Sequence, residues 1–157
     1  MNYTYISTSL TDTDRLAQEL ASVLVPGSLI ALEGELAAGK TAFSQAFARA
    51  IGVTETVNSP TFTIIKEYEG THCPFYHMDV YRITLAEAAE LGLEDYYYGS
   101  GITLVEWASR IGELLPLDRL DIDIRHVNVE TREFHVQPHG LVYEEVCRQL
   151  AERGVWA

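Results

Sequence analysis

Residues 28–52 read SLIALEGELAAGKTAFSQAFARAIG, and three successive patterns lie within them. Ser28–Glu33 is a near-continuous apolar run of strand length, as expected for a strand covered on both faces. A helix is expected from about Lys40 to Ile51, ended by Gly52. Between them, Gly34-Glu35-Leu36-Ala37-Ala38-Gly39-Lys40-Thr41 matches G-x-x-x-x-G-K-[ST], the phosphate-binding loop, in the strand–loop–helix setting that the motif requires. The glycines let backbone N–H groups turn inward around a phosphate, and the following helix presents its positive end to the same oxygens. Lys40 is one of only two lysines in the chain. It has the length to reach the β- and γ-phosphates, while the Thr41 hydroxyl suits a Mg²⁺ ion.

Outward from this stretch, Tyr3–Thr8 alternates as a short strand. Thr11 or Thr13 can cap a helix running to about Leu24, with Leu16, Leu20, Val23 and Leu24 on one face. Pro26-Gly27 stops it. Downstream, Phe62–Glu69 and Phe75–Arg82 flank a turn at Gly70 and predict an antiparallel hairpin. Leu85–Leu91 reads as a short helix closed by Gly92. Ile102–Glu106 is a second buried strand, followed by a helix that ends before Pro116. Leu120–Val127 and Arg132–Gln137 predict another hairpin, and Leu141–Arg153 a last amphipathic helix. A βαβ signal mixed with two hairpins implies an α/β fold. The expectation is a sandwich of the P-loop NTPase type, its mixed parallel and antiparallel central sheet flanked by helices. With 157 residues, no repeat and no Gly/Ser-rich linker, residues 1–157 are expected to form a single domain.

A phosphate loop needs a carboxylate for its metal, usually at the end of a neighbouring strand. Glu106, directly after the apolar run 102–105, should emerge at the sheet edge where ligands bind; the alternative is an acid stabilising the next helix N-terminus. Asp79, in a less regular strand, is the second candidate, with a turn or cap carboxylate as its alternative. Ser59-Pro60-Thr61-Phe62-Thr63 follows the phosphate-loop helix and suits a segment that senses a terminal phosphate; without the loop it would be read as an ordinary strand start. The five histidines show no paired ligand spacing, although His126 and His135 can face each other across the second hairpin. The stripe Asp95–Tyr98 fits a partly buried segment better than a stacking platform.

Composition narrows the function. The chain has 23 acidic residues against 11 basic ones, a net charge of −12. Such a surface repels phosphate backbones, which argues against direct, charge-driven nucleic-acid binding and against a basic membrane helix. Cys73 and Cys147 form neither a metal-ligand spacing nor a disulfide framework, so free buried thiols are expected. The N-terminal segment lacks the basic and apolar regions of a signal peptide, and no apolar run approaches membrane-spanning length. The expected location is the cytoplasm.

The segments GELAAGKTAF, NSPTFTIIKEY, FYHMDVYRI, ELGLEDYY and LVEWASRIGELLP, in this order and in so short a chain, resemble the TsaE (YjeE) family. The resemblance is strong over residues 28–117. It implies an ATP-binding, slow Mg²⁺-dependent ATPase of the bacterial machinery that makes N6-threonylcarbamoyladenosine at position 37 of tRNAs. The implied partners are the TsaD–TsaB pair, with tRNA met only through them. By motif, the resemblance makes Lys40 and Thr41 the phosphate and Mg²⁺ residues, and Glu106 the metal-site carboxylate. Asp79 corresponds to the family's aspartate, with a share in metal binding or catalysis. Thr61 is the switch threonine, and Trp107 packs beneath the site. Thr11 and Arg132 lie where the first helix and the last hairpin can close over an adenine. ATP or ADP would contact residues 34–42, including Gly34, Glu35, Leu36, Ala37, Ala38, Gly39 and Ala42.

Two departures from the family's pattern stand out: Ala37 replaces a usual Gly, and Ala42 a usual second Thr. Either Asp79 or Thr61 can orient the attacking water. The alternative functions on the same loop are a small-molecule kinase and a nucleotide-dependent adaptor that does not hydrolyse.

Overall fold

The computed structural model describes residues 1–35, 38–58, 60 and 63–157. Its seven strands are β1 (Tyr3–Ser7), β2 (Leu29–Gly34), β3 (Ile65–Tyr68), β4 (Phe75–Asp79), β5 (Ile102–Glu106), β6 (Arg119–His126) and β7 (Arg132–His139). Five α-helices accompany them: α1 (Leu10–Val23), α2 (Lys40–Ala50), α3 (Leu85–Ala89), α4 (Glu94–Tyr97) and α5 (Leu141–Glu152). The strands form one sheet in the order β1-β7-β6-β2-β5-β4-β3. Its centre is parallel, β2 lying between β5 and β6 and β5 pairing with β4, while β3/β4, β6/β7 and β1/β7 are antiparallel. The expected mixed-sheet sandwich is therefore the fold found.

Strand alternation sorts the core into two layers. Ile30 and Leu32 of β2, Leu104 of β5 and Phe75 of β4 pack with Leu16, Leu20, Phe43, Phe47 and Leu150 of α1, α2 and α5. Leu29, Ala31, Met78 and Val105 face the other way, toward Ala88, Leu93, Tyr97 and Ile111. Burial on both faces explains why β2 and β5 read as unbroken apolar runs rather than as alternating ones. In β6 the alternation is clean. Leu120, Ile122 and Ile124 are buried, while Arg119 pairs with Asp121 at 2.8 Å and Arg125 with Asp123 at 3.3 Å on the outer side.

Several expected boundaries shift for identifiable reasons. The cap of α1 is Ser9, whose side chain accepts from the Asp12 N–H at 3.1 Å. Thr11 and Thr13 lie inside the helix, Thr13 buried and hydrogen-bonded to Ser7 at 2.8 Å. β4 stops at Asp79, three residues short of Arg82, where the Val80 N–H turns to the Glu106 carbonyl. The start of the first hairpin at Phe62 lies outside the described residues. α3 is held by a capping box between Thr84 and Glu87. The helix expected before Pro116 is a 3-10 helix, Ala108–Leu114, with non-helical backbone at Ile111.

The tyrosine stripe is split by α4, Tyr97 being buried and Tyr98 exposed. His126 and His135 do not face each other: their cross-strand partners are Arg132 and Asp123. Both cysteines are free and buried, and burial pushes the Cys147 thiol up to about 12. Among the described residues, no helix is long and apolar enough to cross a membrane.

Candidate active site

Three elements end at the same edge of the sheet. β2 leads into the glycine loop, and β4 and β5 end in Asp79 and Glu106, which are register partners on adjacent parallel strands. All three are covered by core on both sides, so the two carboxylates emerge only where the strands finish. Asp79 and Glu106 are both buried. The Asp79 Oδ1 atom accepts from the Tyr81 N–H at 2.9 Å, which ties the acid to the turn that follows it. The helix-capping alternative for Glu106 is not what its contacts show. The carboxylate at the start of the 3-10 helix is that of Glu33, which accepts from the Ser109 N–H at 2.8 Å, and the Glu106 carboxylate faces His77 and Ser44 instead.

The loop has the backbone its sequence demands. Gly34 has φ +152°, and a Cβ there would stand 2.8 Å from the Ile124 carbonyl oxygen of β6. Gly34→Ala is accordingly expected to destabilise the fold by about 1–3 kcal/mol, read as a lower urea midpoint, and to weaken phosphate binding with it. Gly39 is the N-cap of α2 with φ +109°, and Ala38 beside it is buried. Thr41 and Glu35 are exposed, and Ala42 is half-buried. Leu36 and Ala37 lie outside the described residues, as do Ser59 and Thr61.

Lys40 is only 6% exposed. Its Nζ donates to the Gly34 carbonyl and, at 2.9 Å, to that of Glu35, and it sits 4.0 Å from the centre of the Trp107 ring. Burial lowers its pKa, against the opposing pull of Glu106, Glu33, Asp79 and Glu35. The lysine thus rests on groups that a phosphate oxygen can replace. Trp107 is fixed in turn by Tyr81, ring centroids 4.7 Å apart.

Among the described residues, the two non-glycine positions with positive φ are Ile64 (+70°) and Trp107 (+62°). Each adjoins one of the acids: the Ile64 carbonyl accepts from the Asp79 N–H at 2.8 Å, and Trp107 directly follows Glu106. Left-handed backbone at a β-branched residue such as Ile64 is an outlier of the kind that clusters at functional sites.

Thr11 and Arg132, far apart in sequence, line one cavity of about 460 Å³ with Gly39, Ala42 and residues of the β1–α1 turn. The Arg132 guanidinium is held there by the carbonyls of Asn128, Val129 and Thr131.

The sequence reading passed over His77. It is fully buried, its Nε2 lying 2.5 Å from Glu106 Oε2. Strand period was the available signal, since Phe75, His77 and Asp79 must share one face. Ser44 was also passed over; its hydroxyl donates to the Lys40 carbonyl at 2.8 Å and lies 3.5 Å from the same Glu106 oxygen.

A strand–glycine-loop–helix unit in a mixed parallel and antiparallel sheet, with acids ending the next two parallel strands β5 and β4, defines a small α/β sandwich built around a glycine loop. Residues 7–134 match the family model described as threonylcarbamoyl adenosine biosynthesis protein TsaE. The chain is 46% identical over 140 residues to the tRNA threonylcarbamoyladenosine biosynthesis protein TsaE of Bacillus subtilis, covering 89% of this chain and 88% of that one. To its namesake from Treponema pallidum it is 37% identical over 132 residues, 83% of this chain and 97% of the other. The crystal structure of YdiB from Bacillus subtilis superposes with a TM-score of 0.86 at 39% identity, covering 98% and 97% of the two chains. The protein belongs to the TsaE family.

Proposed function

We propose that this protein binds ATP at the glycine loop and hydrolyses it slowly with Mg²⁺, in the service of tRNA threonylcarbamoyladenosine formation by TsaD–TsaB. The observation that carries the reading is the convergence of Lys40, at the head of α2, with the register-paired acids Glu106 and Asp79. The donor chemistry fits magnesium: a threonine hydroxyl and one or two carboxylates are hard oxygen ligands, with phosphate oxygens completing the shell. Among the described residues, no group of three or more His, Cys, Asp or Glu could hold a metal by itself. An ion here therefore depends on the nucleotide for the rest of its ligands.

When bound, Mg²⁺ would neutralise charge on the β- and γ-phosphates. Thr41 and Glu106 would hold it, with Asp79 beside them. Lys40 would exchange its carbonyl partners for phosphate oxygens, placing its charge where negative charge gathers as the bridging bond breaks. Water supplies the new bond to the γ-phosphorus, and ADP and inorganic phosphate leave. Asp79 or Thr61 would orient that water. The cavity shared by Thr11, Arg132, Gly39 and Ala42 has the size and position for the nucleoside.

The family membership supports the role in tRNA modification, and the acidic composition suits a protein that meets tRNA through partners. Calorimetric titration with Mg-ATP tests the binding step: one saturable site supports it, and no heat at millimolar nucleotide contradicts it. Ala42 leaves the cavity one hydroxyl short of the family's pattern. Ala42→Thr is expected to tighten ATP binding by about 2- to 10-fold, the worth of one neutral hydrogen bond. An unchanged dissociation constant would remove Ala42 from the account.

A further inference from the structure

We infer that His77 is a positioning residue for the metal-site carboxylate, holding Glu106 by an Nε2–H donor from beneath. The inference rests on the proposed metal role of Glu106 and extends it to a side chain that touches neither ion nor nucleotide.

Its basis is geometric. His77 is fully buried two residues before Asp79 on the same face of β4, and its Nε2 meets Glu106 Oε2 at 2.5 Å. A carboxylate only accepts, so the bond places the proton on Nε2. The other ring nitrogen, Nδ1, is buried and has no hydrogen-bond partner among the described residues. A proton there would be an unmatched donor, so Nε2 is the nitrogen whose proton has a partner. The ring itself is fixed by stacking on Phe75, centroids 5.6 Å apart and planes at 28°.

Among the described residues, both contacts to the carboxylate, from His77 and more distantly from Ser44, go to Oε2. One oxygen is tethered to the protein, and the orientation of the other follows from it. A flexible glutamate would have to be ordered each time an ion bound; a tethered one is already aimed. Partners that orient a ligating group in this way typically change metal affinity or activity by about 10- to 100-fold when lost. A histidine kept only for packing would make its best contacts with its ring faces and would not bond to an acid.

The test compares His77→Phe, His77→Gln and Glu106→Gln. Phenylalanine keeps the aromatic packing and deletes the donor; glutamine puts an amide N–H at about the reach of Nε2. The readouts are the Mg²⁺ concentration for half-maximal ATP hydrolysis and the ADP affinity in EDTA. His77→Phe is expected to raise the Mg²⁺ requirement about 10- to 100-fold with the EDTA affinity unchanged, and His77→Gln to stay within about 3-fold of the parent. A parental Mg²⁺ curve for His77→Phe, alongside a shifted one for Glu106→Gln, overturns the inference and leaves the metal reading intact. A parental curve for Glu106→Gln overturns both.

Histidine ¹H–¹⁵N spectra of the metal-free parent give a readout independent of activity and of whether His77→Phe folds. The expected result is a ring protonated at Nε2, its proton strongly downfield and moving upfield in Glu106→Gln. A ring with no proton on Nε2 overturns the inference.

Discussion

Lys40→Ala is expected to lower ATP turnover by about 10²- to 10³-fold, the scale of removing one preorganised donor to a developing negative charge. The expectation follows from where the lysine sits. Its amine is buried within the electrostatic reach of four acids, with two carbonyls and the Trp107 ring as resting partners. Burial disfavours the charge while the acids favour it, so the two effects on stability oppose each other. Removing the side chain should therefore leave the unfolding midpoint nearly unchanged while turnover collapses. Steady-state phosphate release and a urea melt on one preparation read the two quantities. A variant that keeps parental turnover would show that phosphoryl chemistry does not pass through this loop.

Glu106→Gln is the second large effect, and its sign should depend on magnesium. With Mg²⁺ present, turnover should fall by about 10²-fold or more, because a neutral amide holds the ion poorly. In EDTA the same change deletes a buried negative charge near the phosphates. ADP should then bind as well as to the parent or more tightly. Glutamine retains the shape and can still receive the His77 donor, so the comparison is not one of folding. ADP titrations with Mg²⁺ and with EDTA supply both arms. Equal losses in the two conditions would mean that Glu106 serves structure rather than the ion.

How much of this could be read from the chain depends on how local each cause is. β2 and β5 were legible because burial on both faces writes itself as an unbroken apolar run, and the glycine loop because backbone and ligand constraints fix residue types at fixed offsets. Glu106 could be placed at the sheet edge by counting from the β5 run, whereas Asp79, in a less regular strand, stood only as a second candidate beside a turn or cap carboxylate. The cap of α1 was misplaced by two to four residues because Ser9, Thr11 and Thr13 are chemically equivalent in one dimension; the Ser7–Thr13 bond that distinguishes them is tertiary.

α4 has four residues, too few to show a period. The segment after β5 is 3-10 rather than α, entered through left-handed backbone at Trp107 and broken at Ile111, neither of which a helical pattern in the sequence marks. His77 carried a strand-period signal, yet its meaning needed a partner 29 residues away. The nearness of Thr11 to Arg132 likewise depends on β1 pairing with β7, a contact between the first and last strands of the chain that no local pattern announces.

The proposed ATP turnover is slow for the chain alone and driven by partners. Phosphate release from Mg-ATP, measured for the chain alone and with the TsaD–TsaB pair of the same organism, tests it most directly. The account predicts strong stimulation by the pair, abolished in Lys40→Ala. Equal rates with and without the pair would contradict it.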